Sequence, residues 1–357
     1  MFSGQGAGWP VVPAISRQTA RKMGSMTENR IYTPLEVDLV YLWCDGSDPS
    51  FAARKVARMR TFGHVLTEDN AGDVRYVQHD ELRYSLRSAF ENVPWIRHIF
   101  IVTDGQRPVW LKDHPKISVV DHRQIIPAER LPLFSSIAIE MYLDRIPGLS
   151  EHFLYANDDM FFNRPLEVSD FYDYDRCPLV WVSREQEKEM TRQVAADILD
   201  DDDRRDWLKT VVRAWMLYRK KRGLEIPFYT PAHSIDAYTK TFFRQTREDY
   251  PELEEANSAP FRTGDEISRV LFSYEMINTY ECPVRFTGRV NFSARLRNRF
   301  FPVEMLTVMR DNVRKLKRDL GIFHPKTFCF NNVKAGNATE SERLLQERFP
   351  RAAPWEK

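Results

Sequence analysis

Two adjacent carboxylates, Asp158 and Asp159, stand where the apolar run Phe153-Leu154-Tyr155-Ala156 passes through Asn157 and returns to Met160-Phe161-Phe162. Neighbouring carboxylates in a partly apolar setting repel each other, and a bound Mg²⁺ relieves that repulsion. Two further acids close apolar runs. Asp45 follows Val37 to Trp43 and opens the turn Asp45-Gly46-Ser47-Asp48-Pro49, and Asp104 follows Ile99 to Val102 in Thr103-Asp104-Gly105. Asp45 serves the turn alone, or it joins the backbone amides of Gly46 and Ser47 in holding the nucleotide end of a ligand, since ligands sit at the carboxyl ends of strands in α/β sheets. The complementary charge is Arg83 and Arg87, four residues apart. Like charges at that spacing cost an isolated helix roughly 0.2–0.5 kcal/mol. Either Asp80 and Glu91 neutralise them on a solvated face, or the pair faces an anion, because guanidinium forks match phosphate oxygens.

These residues need elements to hold them. Leu82, Leu86 and Phe90 recur at helical spacing after Asp80, an N-cap or first-turn carboxylate, and Pro94 stops that helix. Short apolar runs at Val37 to Trp43, Ile99 to Val102, Ile117 to Val120 and Phe153 to Ala156 read as buried strands, with a basic helical piece at Arg54 to Arg60 and a helix opened by Ser135 or Ser136. From Glu185 to Arg222 charge dominates, and an acidic stretch leads into an amphipathic basic helix, Trp207 to Arg222. That helix packs its Trp/Val/Leu face on the core, or it forms a lid or docking element for an anionic acceptor or a membrane surface.

Asp80-Glu81-Leu82-Arg83-Tyr84-Ser85-Leu86-Arg87-Ser88, continuing through Trp95 to Gln106, Pro108, Trp110 and Leu111, closely resembles the second conserved region of the Stealth family of sugar-1-phosphate transferases. That family includes bacterial capsular polysaccharide phosphotransferases and the catalytic part of the lysosomal-enzyme N-acetylglucosamine-1-phosphotransferase. Val37 to Pro49 resembles its first region and Leu131 to Glu140 its third, and His152 to Phe161 matches a further segment of the family. Lys326 to Asn332 and Phe349 to Glu356 resemble its fourth. His233 and the Phe261-Arg262 segment also match, while Asn332 replaces an Asp and Ser135 an Asn.

The resemblance implies an α/β fold of GT-A-like type, a largely parallel sheet carrying the 184–224 segment as a charged helical insertion. Residues 31–357 then form one catalytic domain behind a loose tail at 1–30. It implies transfer of a sugar-1-phosphate from a nucleoside-diphosphate sugar to a hydroxyl of an oligo- or polysaccharide. Asp45, Gly46, Ser47, Arg87, Asp104 and Gln106 would bind the donor. Mg²⁺ or Mn²⁺ would sit on Asp158, Asp159 and Asn332. Arg83 and Arg262 would neutralise charge, and Asp80, Glu81 or His233 would take the acceptor proton. The rival readings are a conventional glycosyltransferase, which breaks the sugar C1–O bond, and a non-catalytic glycan-binding module.

Composition narrows the setting. Lys and Arg number 52 against 51 Asp and Glu, so no global field argues for nucleic acid. The four cysteines, at 44, 177, 282 and 329, form no CxxC pair and read as reduced cytosolic thiols. No segment is apolar enough to span a membrane and the first 25 residues lack a signal peptide's apolar core, which implies a cytoplasmic protein, peripheral at most to the membrane's inner face.

Overall fold

The computed structural model describes residues 35–63, 76, 79–183, 190–201, 206–287, 307–310, 312–330 and 338–357. The expectations for the tail at 1–30 and for Asn332 fall outside them. The strands are β1 (Val37–Leu42), β2 (Ile99–Thr103), β3 (Ile117–Asp121), β4 (His152–Asn157), β5 (Met160–Phe162), β6 (Val180–Ser183), β7 (Thr230–Pro231), β8 (Asp236–Thr239), β9 (Val284–Thr287), β10 (Thr307–Arg310) and β11 (Thr327–Phe330). The central sheet has five strands in the order β3-β2-β1-β4-β8, parallel except for β8. Alternation buries both faces, as a covered parallel sheet requires. Val40, Phe100 and Val102 enter one cluster with Leu143 and Trp215, whereas Leu39, Tyr41 and Ile101 enter another with Leu82 and Leu86. The chain is therefore α/β with a largely parallel sheet, as expected.

The helices are α1 (Pro49–Phe62), α2 (Glu81–Asn92), α3 (Ser136–Glu140), α4 (Arg192–Asp200), α5 (Asp206–Arg222), α6 (Lys240–Asp249), α7 (Glu252–Ala256), α8 (Val270–Asn278), α9 (Val313–Phe323) and α10 (Ala338–Arg348). Small hydroxyls seat α2. Ser85 Oγ donates to the Met160 carbonyl and lies 2.8 Å from the Tyr41 hydroxyl, while Ser88 Oγ accepts from Phe162 N at 3.0 Å. At the other end, Arg97 N donates to Val37 O at 2.9 Å. Residue 85 thus lies at the carboxyl end of β1 and residue 97 at its start. The N-terminus of α2 therefore opens at the edge where the parallel strands end.

The charged insertion packs inward. α5 buries Thr210, Val211, Val212, Ala214, Trp215 and Tyr218, and its last residue, Arg222, bonds Glu275 at 2.8 Å and Asp249 at 2.7 Å. The core-packing alternative describes this helix, although Trp207 and Met216 stay exposed.

One expectation is corrected. Cys177 and Cys282 form a disulfide, with Cα atoms 5.7 Å apart; Cys44 and Cys329 are free. The parallel pairing of β6 with β9 sets Val180 opposite Val284, which brings the cysteines just before each strand together. No spacing rule reveals a long-range pairing of that kind, and the argument for a reducing compartment loses its footing.

Candidate functional site

In the sheet register Leu42 faces both Val102 and Asn157, so Asp45, Asp104 and Asp158 all emerge at one edge. Cys44 sits among them, its thiol pushed up first by burial and then by Asp158, Asp45 and Asp104. The Asp45 turn is clamped by Gln106, whose amide accepts from Asp45 N at 2.9 Å and donates to Asp45 O at 2.8 Å and to Asp48 at 3.0 Å. Ser47 bonds back to Asp45 Oδ1 through backbone N at 2.9 Å and Oγ at 2.6 Å. Gly46 is required by space: a Cβ there would lie 2.6 Å from Tyr76 Cβ and 2.7 Å from its carbonyl. Asp104 is held by Arg54, with Nε to Oδ2 and Nη2 to the carbonyl, each at 2.9 Å. Gln106 and Asp104 thus shape the loop, and Gly46 lets it lie close to Tyr76.

Asp159 leads into β5, where β11 pairs antiparallel and sets Cys329 opposite Met160. The Cys329 thiol donates to Asp159 Oδ2 at 3.2 Å, and Oδ1 of Asp159 is buried without a hydrogen-bond partner among the described residues. Burial, reinforced by Asp158, raises the Asp159 carboxyl to about 7. His233, in the turn before β8, brings a ring nitrogen into the same cluster, where donor atoms of Asp159, His233 and Cys329 lie within 4.8 Å of one another. Burial first, and then the Arg269 cation, lower His233 to about 4, so its imidazole is neutral at pH 7. An oxygen-seeking ion such as Mg²⁺ fits the carboxylates, with Asp159 Oδ1 the unfilled acceptor; the sulfur and nitrogen of Cys329 and His233 suit softer ions. Burial keeps Cys329 a protonated thiol, which serves Asp159 as a hydrogen-bond donor.

Asp80 is the N-cap residue of α2, in left-handed backbone geometry and with no side-chain cap bond. Glu81 instead accepts from His79 N at 2.6 Å. Burial raises the Glu81 carboxyl, and the charges of Asp159 and Asp80 add to the shift. The arginines find a partner that neither sequence alternative supplied. Arg83 Nε donates to Glu356 Oε2 at 2.6 Å, and Arg87 donates to Glu356 Oε1 and Oε2, each at 2.7 Å. Asp80 lies 3.7 Å from Arg83, while Glu91 turns to Arg351 at 3.5 Å.

Arg262 lies at the start of α3, where it donates to Ser136 Oγ at 2.6 Å. Its neighbours fix it there. Phe261 stacks on Phe134 with centroids 5.2 Å apart, and Glu266 accepts from the Thr263 and Gly264 amides at 2.8 and 3.0 Å. Sequence reasoning missed the network around Arg269. Arg269 pairs with Glu140 at 3.1 Å, with Asp236, and with the Tyr238 hydroxyl at 2.7 Å. The Tyr155 hydroxyl bonds Glu140 and Asn157, each at 3.0 Å, linking the network to the residue before Asp158. Glu140 ends a motif the sequence displayed, and an acid closing an apolar helical turn was the available signal; Arg269, inside Ile267-Ser268-Arg269-Val270, offered none.

Comparison with known proteins follows the same residues. The family model Stealth protein CR2, conserved region 2, matches residues 75–179. The exopolysaccharide phosphotransferase CpsY of Mycobacterium leprae is 33% identical over 350 residues, which is 94% of this chain and 59% of the relative. The capsular polysaccharide phosphotransferase fcs1 of Haemophilus influenzae is 30% identical over 310 residues, 85% of this chain and 80% of the relative. The chain spans about six tenths of the mycobacterial relative and, at 61%, of the exopolysaccharide phosphotransferase of Nocardia farcinica. Among solved structures, the galactosyltransferase LgtC with donor and acceptor sugar analogues superposes with a TM-score of 0.38 at 11% identity, over 88% of this chain and 95% of that one. With the second conserved region spanning α2 to Asp159, and a relative matched over four fifths of its length, the chain belongs to the Stealth family.

Proposed function

We propose that this chain transfers a sugar-1-phosphate from a nucleoside-diphosphate sugar to a glycan hydroxyl, forming a phosphodiester and releasing a nucleoside monophosphate. The observation that carries the reading is the emergence of Asp45, Asp104 and Asp158 at one sheet edge, with Asp159 next in sequence and clustered with His233, in a chain whose relatives are named phosphotransferases. Phosphoryl transfer asks for alignment and charge neutralisation more than covalent chemistry. Asp158 and Asp159 would hold Mg²⁺ or Mn²⁺, which supplies neutralisation of the donor phosphates when bound. Arg262, fixed on Ser136, and Arg83, fixed on Glu356, would supply cationic donors. Asp45 would bind the nucleotide end, on a loop that Gln106 and Asp104 keep rigid; the Gly46 and Ser47 amides, expected to share that role, are instead spent within the protein, on Tyr76 O at 2.8 Å and Asp45 Oδ1 at 2.9 Å.

His233 is the candidate general base. Its buried imidazole is neutral at pH 7, and an arriving anionic phosphate pulls its affinity for a proton back up. Asp80 is exposed and shares Arg83, and Glu81 is partly engaged by its bond from His79 N. Among the described residues no helix is long and apolar enough to cross a membrane. Phosphorus NMR of products from a panel of nucleotide sugars with glycan acceptors tests the reading. A phosphodiester resonance with a nucleoside monophosphate is expected; a nucleoside diphosphate with no phosphodiester would replace it with glycosyl transfer.

A further inference from the structure

The two arginines of α2 share one counter-ion, and it comes from the far end of the chain. Glu356 accepts from Arg83 Nε, from Arg87 Nε and Nη2, and from Ala353 N at 2.8 Å, with its carboxylate almost fully buried. The tail that carries it is seated in register. Leu111 and Glu356 form a bridge, Lys112 N donates to Trp355 O at 3.0 Å, and Lys357 N donates to Trp110 O at 2.9 Å.

The sharing is unequal. Arg87 gives two donors to Glu356 and a third to Phe349 O at 3.0 Å, and it is buried. Arg83 commits only Nε to Glu356. Its guanidinium lies 5.9 Å from the Trp110 ring centroid and 3.7 Å from Asp80, with the side chain 28% exposed. One oxygen of Glu356 therefore fixes the inner edge of the Arg83 guanidinium and leaves its terminal nitrogens at the N-terminus of α2. Ser85, one turn on from that helix start, bonds Tyr41 near the end of β1, next to the β4 end that Asp158 and Asp159 follow.

We propose that Glu356 is a positioning residue, which acts through Arg83 to aim its terminal nitrogens at the pyrophosphate of a nucleoside-diphosphate donor, with Arg87 as the buried anchor. The proposal rests on reading this edge as a phosphoryl-transfer site. A guanidinium held at Nε has lost most of its rotamer freedom before the anion arrives, so the contact gains affinity by preorganisation.

The test is calorimetric binding of inorganic pyrophosphate, in Mg²⁺ buffer, to the full chain and to Arg83→Met, Glu356→Gln and the double variant, beside thermal melts. Each single change is expected to raise Kd about tenfold, the scale of one charge-assisted hydrogen bond, and the double variant no more than either. A tail that merely stabilised the fold would lower the melting temperature without this non-additivity. Wild-type Kd in Arg83→Met or in Glu356→Gln overturns the proposal, and so does a double variant weakened by the product of the single effects. Absence of pyrophosphate binding by the unaltered protein instead overturns the reading of the site. If Glu356→Gln melts below the assay temperature, Glu356→Asp takes its place in the cycle, keeping the charge but withdrawing it from Arg83.

Discussion

Burial sets the protonation of His122, which follows β3 and feels the charges of Asp104 and Arg54 without belonging to the site. It is 5% exposed, and its Nδ1 has no hydrogen-bond partner among the described residues. Burial lowers it to about 4, against the upward pull of Asp104 and Asp121 and with Arg54 pushing the same way as burial. Between pH 4 and the ordinary 6.5 the unfolded chain binds the extra proton, so stability rises with pH through that window. The contribution is complete above 6.5, is lost as pH falls towards 4, and is on the order of 3 kcal/mol. His122→Asn should remove this part of the slope from a plot of melting temperature against pH, leaving the rise that His233 contributes and the fall that Asp159, raised to about 7, contributes over the same window. Parallel curves for the two proteins would assign the slope to other groups. At this scale the sequence was informative wherever an acid closes an apolar run, as at Asp45, Asp104 and Asp158. The partner of Arg87 was hidden because it lies 269 residues away, beyond any helical spacing rule.

Elements turn those residues into a site, and α2 is the clearest case. Its apolar positions Leu82 and Leu86 are buried, as their spacing predicts, and Phe90 meets Trp355 edge-on at 5.7 Å. The serines between them carried no signal as single residues. Ser85 joins Tyr41 of β1 to the Met160 carbonyl of β5, and Ser88 accepts from Phe162 N. Ser85→Ala strands two buried groups, so unfolding should become easier by about 1–3 kcal/mol, read as a lowered denaturant midpoint with an unchanged slope. An unchanged midpoint would mean that the hydroxyl does not seat the helix. Cys329 was equally illegible as a site residue. Its place against Asp159 comes from the antiparallel register of β11 with β5, which no local pattern announces.

Across the whole molecule, the Cys177–Cys282 bond closes a loop with a sequence separation of 105. That loop carries the helical insertion, His233, Arg262 and Arg269. Cross-links over such lengths stabilise by roughly 2–4 kcal/mol, largely by constraining the unfolded chain. Reductant, or Cys282→Ser, should therefore lower the melting temperature of the oxidised protein, whereas coincident melts with and without reductant would show that the bond adds nothing. The apolar runs that become β1 to β4 and the amphipathic spacing of α5 were legible at this scale, whereas the order of the strands is set by long-range pairing that no run announces. The disulfide was equally hidden, because it depends on the β6–β9 pairing.

The central claim concerns which bond of the donor breaks. A nucleotide sugar carrying ¹⁸O in the bridge between C1 of the sugar and the adjacent phosphorus separates the two chemistries in one mass spectrum. Breaking the pyrophosphate bond leaves the label in the glycan product, as part of a phosphodiester, and the nucleoside monophosphate unlabelled. That is the result this account predicts. Label recovered in a released nucleoside diphosphate would mean that the C1–O bond had broken, and would contradict it.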